Sequence, residues 1–293
     1  MKIYLLTRNA NLYSSRRILE VARYRGHEIR AIDYMNCHFI LEKGNAKIIY
    51  NNEELEKPDW IIPRIGATYT NYGATVIRQF EVMGVKTAVG SEALINSRNK
   101  FQCLQLLSMS GVRMPKTGFS SGSNSAKQLI DYVGGAPIII KLLEGTHGLG
   151  VLLQETEDAA KSVLDAFAQL GARVMVQEFI KESAGVDIRA IVAGGKVVAA
   201  MKRTAQEGEF RSNIHRGGVG EKVVLTPEQE DTAIRSANVI GLGIAGVDML
   251  ISDKGALVIE VNSSPGIEGI EGYTQLDVAK EFIKFIEEDI NKK

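Results

Sequence analysis

A carboxylate inside an apolar strand is the feature that most narrows what this chain can fold into, because a buried charge is costly unless something pairs with it. The stretch from Gly246 to Gly266 holds two of them. It reads as two short strands, Ala245 to Ile251 and Ala256 to Asn262, joined by a turn rich in Asp, Lys and Gly. Asp248 interrupts the first strand. In the second, Leu257, Val258, Ile259 and Val261 are apolar, whereas Glu260 and Asn262 alternate onto one shared face. Partners in an antiparallel pair also share a face, so Asp248 opposite Glu260 requires a loop of odd length. Asp253-Lys254-Gly255 provides one, with Gly255 in the left-handed conformation. Gly246 then falls opposite Asn262 and keeps that end open for a ligand. Crowded acids invite a cation, and the oxygen-only set Asp248, Glu260 and Asn262 suits a hard ion, Mg²⁺ or Mn²⁺. The plainer alternative has Asp248 facing solvent while Glu260 and Asn262 merely end a strand. It does not account for three oxygen donors in register ahead of Ser-Ser-Pro-Gly.

Composition removes several function classes. The 293 residues suffice for one large domain or for roughly two to three small ones. Lys plus Arg equals Asp plus Glu, 35 of each, so no global field recruits nucleic acid or an anionic membrane. Cys37 and Cys103 form neither a metal-ligand spacing nor a disulfide framework. Met1 to Thr7 is too short, and too soon followed by Arg8, to be a signal peptide, and no apolar run approaches membrane-spanning length. The expectation is a soluble protein of a reducing compartment, most simply a cytoplasm.

Along the chain, Ile3 to Leu6 is a short buried strand, Ser14 or Ser15 can cap a helix ending at Gly26, and His27 to Ile32 is a second strand. Ile48 to Leu55 reads as a hairpin turning on Asn51-Asn52. Asp59 to Ile65 is another strand and Tyr72 to Met83 a helix. Strands alternating with helices indicate a parallel sheet, here a small Rossmann-like unit without the Gly-x-Gly-x-x-Gly turn of a dinucleotide site. Ser91 to Ser110 is predicted as one helix, and Ser125 to Gln128 as a capping box opening another. Thr156 caps a helix ended by Gly171. The antiparallel pair Asp187 to Val192 and Lys196 to Lys202 turns at Gly194-Gly195, and Thr226 to Gln229 is a second capping box. The final helix runs from Leu276 to Ile290.

Several positions in this frame point to anions. Lys141 sits in the middle of the buried strand Ala136 to Leu143, where an ammonium needs an anionic partner. The loop after it, Glu144 to Gly150, carries Gly145, Gly148 and Gly150 and can lay backbone amides over phosphates, although it lacks the Gly-Lys-Ser/Thr ending of a P-loop. Arg203, Arg211 and Arg216 flank or occupy the polar loop Gln206 to Gly218, and guanidinium groups clamp phosphates bidentately. The alternative for that loop is a solvated basic surface. Arg64, just after a strand, can reach a substrate carboxylate or lie on the surface.

Taken in order, Lys141, the Glu144 to Gly150 loop, Gln177-Glu-Phe-Ile180, Asp187-Ile-Arg189, Phe210-Arg-Ser-Asn213 and the set Asp248, Glu260 and Asn262 resemble the ATP-grasp superfamily. Within it, Phe210-Arg-Ser-Asn-Ile-His-Arg-Gly-Gly218 and Asn262-Ser-Ser-Pro-Gly-Ile-Glu-Gly-Ile270 are most similar to the RimK family. The similarity covers the whole chain, including Ile62-Pro-Arg-Ile-Gly66 and Val133-Gly-Gly-Ala-Pro137. His147 stands where many relatives carry glutamine.

The resemblance implies an α/β chain with α+β elements: a Rossmann-like domain at 1–95, a central subdomain with the glycine-rich loop at 96–182, and a C-terminal subdomain with the metal site at 183–293. The two subdomains would grip ATP. It further implies that Lys141 and Lys100 neutralise phosphates while the Gly145 to Gly150 loop closes over them. Glu178, Phe179 and Ile180 would follow the adenine edge, and Asp187 would accept from the ribose. Arg211, Ser212 and Asn213 would face the γ-phosphate and acyl group, with Arg203 beside them. Two Mg²⁺ (or Mn²⁺) ions would be held, one by Asp248 and Glu260, the second by Glu260 and Asn262. The implied activity joins L-glutamate to the acidic C-terminus of a protein like ribosomal protein S6 through an acyl phosphate, with Arg64, Arg216 and Ser264 on the substrate side. Ligation to a small cofactor of the F420 or tetrahydromethanopterin type, or of aminoadipate to a carrier protein, is the rival within the superfamily. A phosphotransferase needs a phosphorylatable His in a convincing site, and none of His27, His38, His147 or His215 has one. A pure nucleotide-binding module has no use for paired ions. Oligomeric state, a homo-oligomer included, is left open.

Overall fold

Three strands of four or five residues build the first layer of the computed structural model, which describes residues 1–291 except 121–125, 144–149, 213, 215 and 216. They are β1 (Lys2–Leu6), β2 (Glu28–Ile32) and β6 (Trp60–Pro63), joined by the two-residue β7 (Lys86–Thr87). They pair in the order β2-β1-β6-β7, all parallel, with α1 (Tyr13–Tyr24) and α2 (Thr70–Val82) as connections. Burial on both faces is what such continuous apolar runs require. Neither Ser14 nor Ser15 caps α1. The Ser14 hydroxyl instead accepts the backbone N–H of Ile267 at 3.1 Å, a tertiary contact that competes with local capping. Between β2 and β6 lies a separate sheet of β3 (Cys37–Glu42), β4 (Asn45–Tyr50) and β5 (Glu53–Glu54). Asn51 and Asn52 turn the β4–β5 hairpin at φ 54° and 66°, the left-handed pair that a two-residue hairpin needs.

The long helix read at Ser91 to Ser110 is two: α3 (Ser91–Arg98) and α4 (Lys100–Met109). Asn99 between them is extended (φ −82°, ψ 99°), and its side chain accepts the Gln102 N–H at 3.1 Å, so one residue both ends α3 and caps α4. Both helices pack against α7 (Pro227–Ile240) and β16 (Gly255–Asn262), and Phe101 of α4 also meets Phe119 of the sheet that follows, ring centroids 5.0 Å apart.

That next sheet is antiparallel, ordered β10-β9-β11-β8, from β8 (Thr117–Phe119), β9 (Ile138–Leu142), β10 (Val151–Gln154) and β11 (Val174–Glu178). Helices α5 (Ala126–Val133) and α6 (Glu157–Gln169) cover it, the latter capped by Thr156 accepting from Ala159 N. Ser125, the expected cap of α5, lies outside the described residues. This lobe has an apolar core of its own, made of Ala126, Ile130, Val133, Ile138, Ile140, Ala160, Leu164 and Val176.

The third layer is the antiparallel sheet β14-β13-β12-β15-β16, from β12 (Val186–Ala193), β13 (Lys196–Thr204), β14 (Val219–Lys222), β15 (Ile244–Ser252) and β16. Helix α7 opens with the capping box expected at Thr226 and Gln229 and with Pro227 as its first residue. After β16 come α8 (Glu268–Thr274), not foreseen from the sequence, and α9 (Val278–Asn291), which packs on α1 through Arg25 Nη2 and Glu287 Oε2 at 2.5 Å. The parallel sheet and this third layer share one continuous core running from Ile3 and Trp60 through Ile191 and Val258 to Phe282. Among the described residues, no helix is long and apolar enough to cross a membrane.

Candidate active site

The register across β15 and β16 pairs Asp248 with Glu260 and Gly246 with Asn262. The route to that register differs from the odd-loop argument. Ser252 pairs with Gly255, so the turn is the two residues Asp253-Lys254, and a bulge next to Asp248 restores the parity by leaving Ile259 between the Val258 and Glu260 pairings. The bulge places both Val258 and Val261 on the face away from Asp248, where both are buried, while Glu260 stays with Asp248. Gly255 is left-handed at φ 98°, as the turn requires.

On the Asp248 face, four charges alternate across three strands. Arg189 donates to Asp248 through Nε and Nη2 at 2.7 and 2.6 Å, and Arg203 Nη2 approaches Asp248 Oδ2 at 3.1 Å. Arg203 also grips Asp187 bidentately, Nε to Oδ1 at 2.6 Å and Nη2 to Oδ2 at 2.5 Å. Burial favours the neutral acid at Asp248, yet the guanidiniums of Arg189 and Arg203 bring that carboxyl down to about 2. Against its own burial, Arg203 is held above its ordinary range by Asp248 and Asp187. The expectations for Asp187 and Arg203 are narrowed here. Each Asp187 oxygen accepts one bond from Arg203 and keeps a second acceptor position. Arg203 is 2% exposed and satisfied by two acids, so it is a strut of the sheet and not a guanidinium open to substrate.

Glu260 is exposed and Asn262 half-buried, and neither uses a side-chain oxygen in a hydrogen bond among the described residues. A carboxylate has about four acceptor positions, of which Arg189 and Arg203 take three on Asp248, so one remains. Gly246 adds no side chain opposite Asn262; a Cβ there would lie 2.9 Å from Pro265 Cβ. Oxygen donors that are free, in register and next to an open position fit a hard divalent cation. Among the described residues no cluster of three His, Cys, Asp or Glu side chains exists, so the amide of Asn262 is needed to complete the set.

Facing these donors is the lobe. Lys141, half-buried on β9, donates to Gln177 Oε1 at 2.7 Å; Gln177 Nε2 donates to Thr117 Oγ1 at 2.8 Å, and Thr117 donates to the Pro115 carbonyl at 2.8 Å. This relay fixes the ammonium without neutralising it. Burial lowers Lys141 to about 8, opposed mainly by the negative field of Glu260. Lys100 is lowered by burial and opposed by Glu260 in the same way, and its Nζ lies 3.4 Å from the Leu143 carbonyl. Lys100 is also the first residue of α4, where the positive end of the helix dipole disfavours a cation until an anion arrives. Gly150 (φ 75°) accepts the Leu142 N–H at 2.8 Å; Gly145 and Gly148 lie outside the described residues.

Glu178 ends β11 with its carboxylate accepting the Lys116 N–H at 2.7 Å, and Phe179 and Ile180 follow it out of the sheet. Arg211 is held by Glu209 at 2.8 and 2.7 Å, an ion pair that keeps the Glu209 carboxyl near 2, and reaches across to the Val151 carbonyl of the lobe at 3.4 Å. Ser212 is buried, whereas Asn213 and Arg216 lie outside the described residues. Arg64 donates to the Pro265 carbonyl at 2.8 Å beside Ser264. Sequence reasoning passed over Arg98 and Arg189. Arg189 stands in the quoted Asp187-Ile-Arg189 run, two residues on from Asp187, and strand alternation placed it on the same face. Arg98 had no such signal.

With Lys141 on the lobe sheet, Lys100 at the start of α4, and Glu260 and Asn262 on the body sheet, comparison with known proteins becomes decisive. Residues 1–94 match the RimK PreATP-grasp domain and residues 97–286 the RimK-like ATP-grasp domain. This chain belongs to the RimK family. A probable alpha-L-glutamate ligase of Aliivibrio salmonicida is 55% identical over 99% of this chain and 96% of its own length. One from Vibrio cholerae is 53% identical over 100% and 97%. Among solved structures, the ATP-grasp ligase PsnB complexed with minimal precursor superposes with a TM-score of 0.79 at 20% identity, covering 99% of this chain and 98% of that one. A RimK domain ATP-grasp protein from Sphaerobacter thermophilus gives 0.73 at 21%, covering 97% and 99%. The RimK-family chain has the ATP-grasp fold and is an ATP-using ligase.

Proposed function

We propose that this enzyme is an α-L-glutamate ligase, as its relatives' names suggest, and that it extends the C-terminus of a protein acceptor. The observation that carries the reading is the convergence of Lys141, from the lobe sheet, and Lys100, from the start of α4, on Glu260 of the body sheet, cations for phosphate beside donors for a divalent ion. Joining a carboxylate to an amine needs the carboxylate activated. Its oxygen attacks the γ-phosphorus, the bond to the β-phosphate oxygen breaks, and ADP leaves an acyl phosphate. The glutamate amine, having lost one proton from its ammonium form, attacks the acyl carbon. Phosphate departs, and the nitrogen's second proton is lost as the amide forms. Two anions must meet in the first step, so cationic stabilisation dominates the design. Lys141 would be held on the phosphates by Gln177 and Thr117, Lys100 would add charge at the helix start, and Arg211 would span body and lobe as they close.

Glu260, Asn262 and the remaining lone pair of Asp248 would hold Mg²⁺ or Mn²⁺, two ions in our reading, which when bound would screen the phosphate charge. The acceptor is a ribosomal protein S6-like C-terminus, in line with the peptide-bound structures of the fold. The test is intact-mass spectrometry of S6 after incubation with enzyme, ATP, Mg²⁺ and L-glutamate, with ADP release followed in parallel. Glutamyl increments on S6 are the expected result. ADP release only with a small glutamate-accepting cofactor would overturn the protein-acceptor reading.

A further inference from the structure

Two guanidiniums meet where the parallel sheet, the α3–α4 joint and the segment after β16 come together, and neither has a carboxylate to answer it. Arg64 donates through Nη1 to the Pro265 carbonyl at 2.8 Å, and Arg98 through Nη2 to the Ile65 carbonyl at 2.6 Å. A guanidinium carries five N–H donors, and among the described residues no acid lies within hydrogen-bonding distance of either group. Arg98 Nε and the hydroxyls of Ser263 and Ser264 are buried without partners. The two cations also oppose each other. Burial pushes Arg64 down to about 10 with Arg98 adding to the fall, and burial lowers Arg98 against the pull of Glu260. Unpaired, desolvated cations are destabilising, so the pair is a place of incomplete complementarity beside the acid of the metal face.

A cavity of about 10 Å³ between Arg64 and Ser263 has room for one water molecule and none for a substrate, which sets Ser263 apart. Arg64, Arg98 and Ser264 remain as unmet donors, the first two anchored by carbonyls that fix their direction. In the reading above phosphate is served by Lys141 of the lobe and Lys100 of α4, and a planar guanidinium fork matches a carboxylate. We propose that Arg64, Arg98 and Ser264 form the seat for a spectator carboxylate of the amino-acid substrate, one that amide formation leaves untouched, and so set the preference for a dicarboxylic amino acid. This rests on the ligase reading above, since only an amine donor with a spare carboxylate needs such a seat.

The test compares wild type with Arg98→Gln and Arg64→Gln, using L-glutamate, its γ-amide L-glutamine and its α-amide isoglutamine as amine donors. Each variant is expected to raise the KM for glutamate about 10- to 100-fold, the range for losing a charged hydrogen bond, with ATP affinity unchanged. Its preference for glutamate over one of the two amides should collapse, which names the carboxylate that is held. A merely structural role would lower kcat for all three donors alike. Melting of the substrate-free Arg98→Gln protein should be unchanged or later, because a repelled cation has been removed. An unaltered KM with the amide preference intact, or a fall in ATP affinity of the same size, would overturn the seat. Failure of wild type to make any glutamyl product would instead sink the ligase reading, and this inference with it.

Discussion

The lobe of β8 to β11 and the body that carries the other elements hold themselves together differently. The lobe has a small private core of Ala126, Ile130, Val133, Ile138, Ile140, Ala160, Leu164 and Val176. The body has one apolar mass continuous from β1 to α9, with a buried ion ladder laid across its largest sheet. In the proposed function the division of chemistry follows the same line: the lobe would offer Lys141 to phosphate, and the body would offer Glu260 and Asn262 to metal. What this teaches is that the two halves of the candidate site rest on differently packed units, with Met175 of β11 and the Phe101–Phe119 ring pair tying the lobe to the body.

The comparison is sharpest at Glu260. Glu260→Gln is expected to lower turnover about 1,000-fold or more by removing charge from the metal face, with melting unchanged because the residue is exposed. Binding of metal-free ATP, which relies on the lobe, should persist in calorimetry. Retained turnover at saturating Mg²⁺ would break the assignment.

Matched core truncations probe the mechanical half. Ile140→Ala in the lobe and Ile191→Ala in the body each delete a fully buried side chain, at about 2–5 kcal/mol. By calorimetry and hydrogen exchange, Ile140→Ala should loosen the lobe selectively and weaken ATP binding, whereas Ile191→Ala should lower the melting of the whole body. Equal global losses from both would show that the two cores unfold as one.

Lys141 gives the smallest of the three effects. Lys141→Met should weaken ATP binding about 10- to 100-fold, roughly the loss of one charge-assisted contact, and Lys141→Arg should not restore it, because a planar fork cannot replace a compact ammonium. Burial lowers this lysine from 10.5 to about 8, so the unfolded chain holds the proton more tightly than the folded one. The destabilisation is fully present below about pH 8 and fades as pH rises towards 10.5. The Met variant should therefore out-melt wild type at pH 7, and the gap should narrow by pH 9.5. ATP affinity of wild type should drop over the range in which the proton leaves.

Local pattern made the parallel sheet, the two strand pairs of the C-terminal antiparallel sheet and the pairing of Asp248 with Glu260 readable before any coordinates. Capping at Thr156 and Thr226 was equally plain, because those hydroxyls serve the next turn of their own helix. Ser14 was misread since its partner, Ile267, is far along the chain. The break at Asn99 was hidden in residues that read as helix, and only the packing of α3 and α4 on α7 and β16 makes it worthwhile. Arg203 was placed in the right neighbourhood but given to substrate, because strand alternation shows a face and not which charges on it neutralise each other. Arg98 was invisible for a related reason: its meaning lies in the acid it lacks.

The docking of the segment after β16 onto the first domain, through Ser14, Arg64 and the Tyr13 hydroxyl that donates to Glu271 at 2.8 Å, bears on how such enzymes are inherited. A recombination event that joined this grasping module to a foreign leader would carry off the ATP chemistry and leave Arg64 behind. With the proposed carboxylate seat, the first domain would be part of the enzyme's substrate vocabulary, and lineages that exchange it are expected to change what they ligate before they change how.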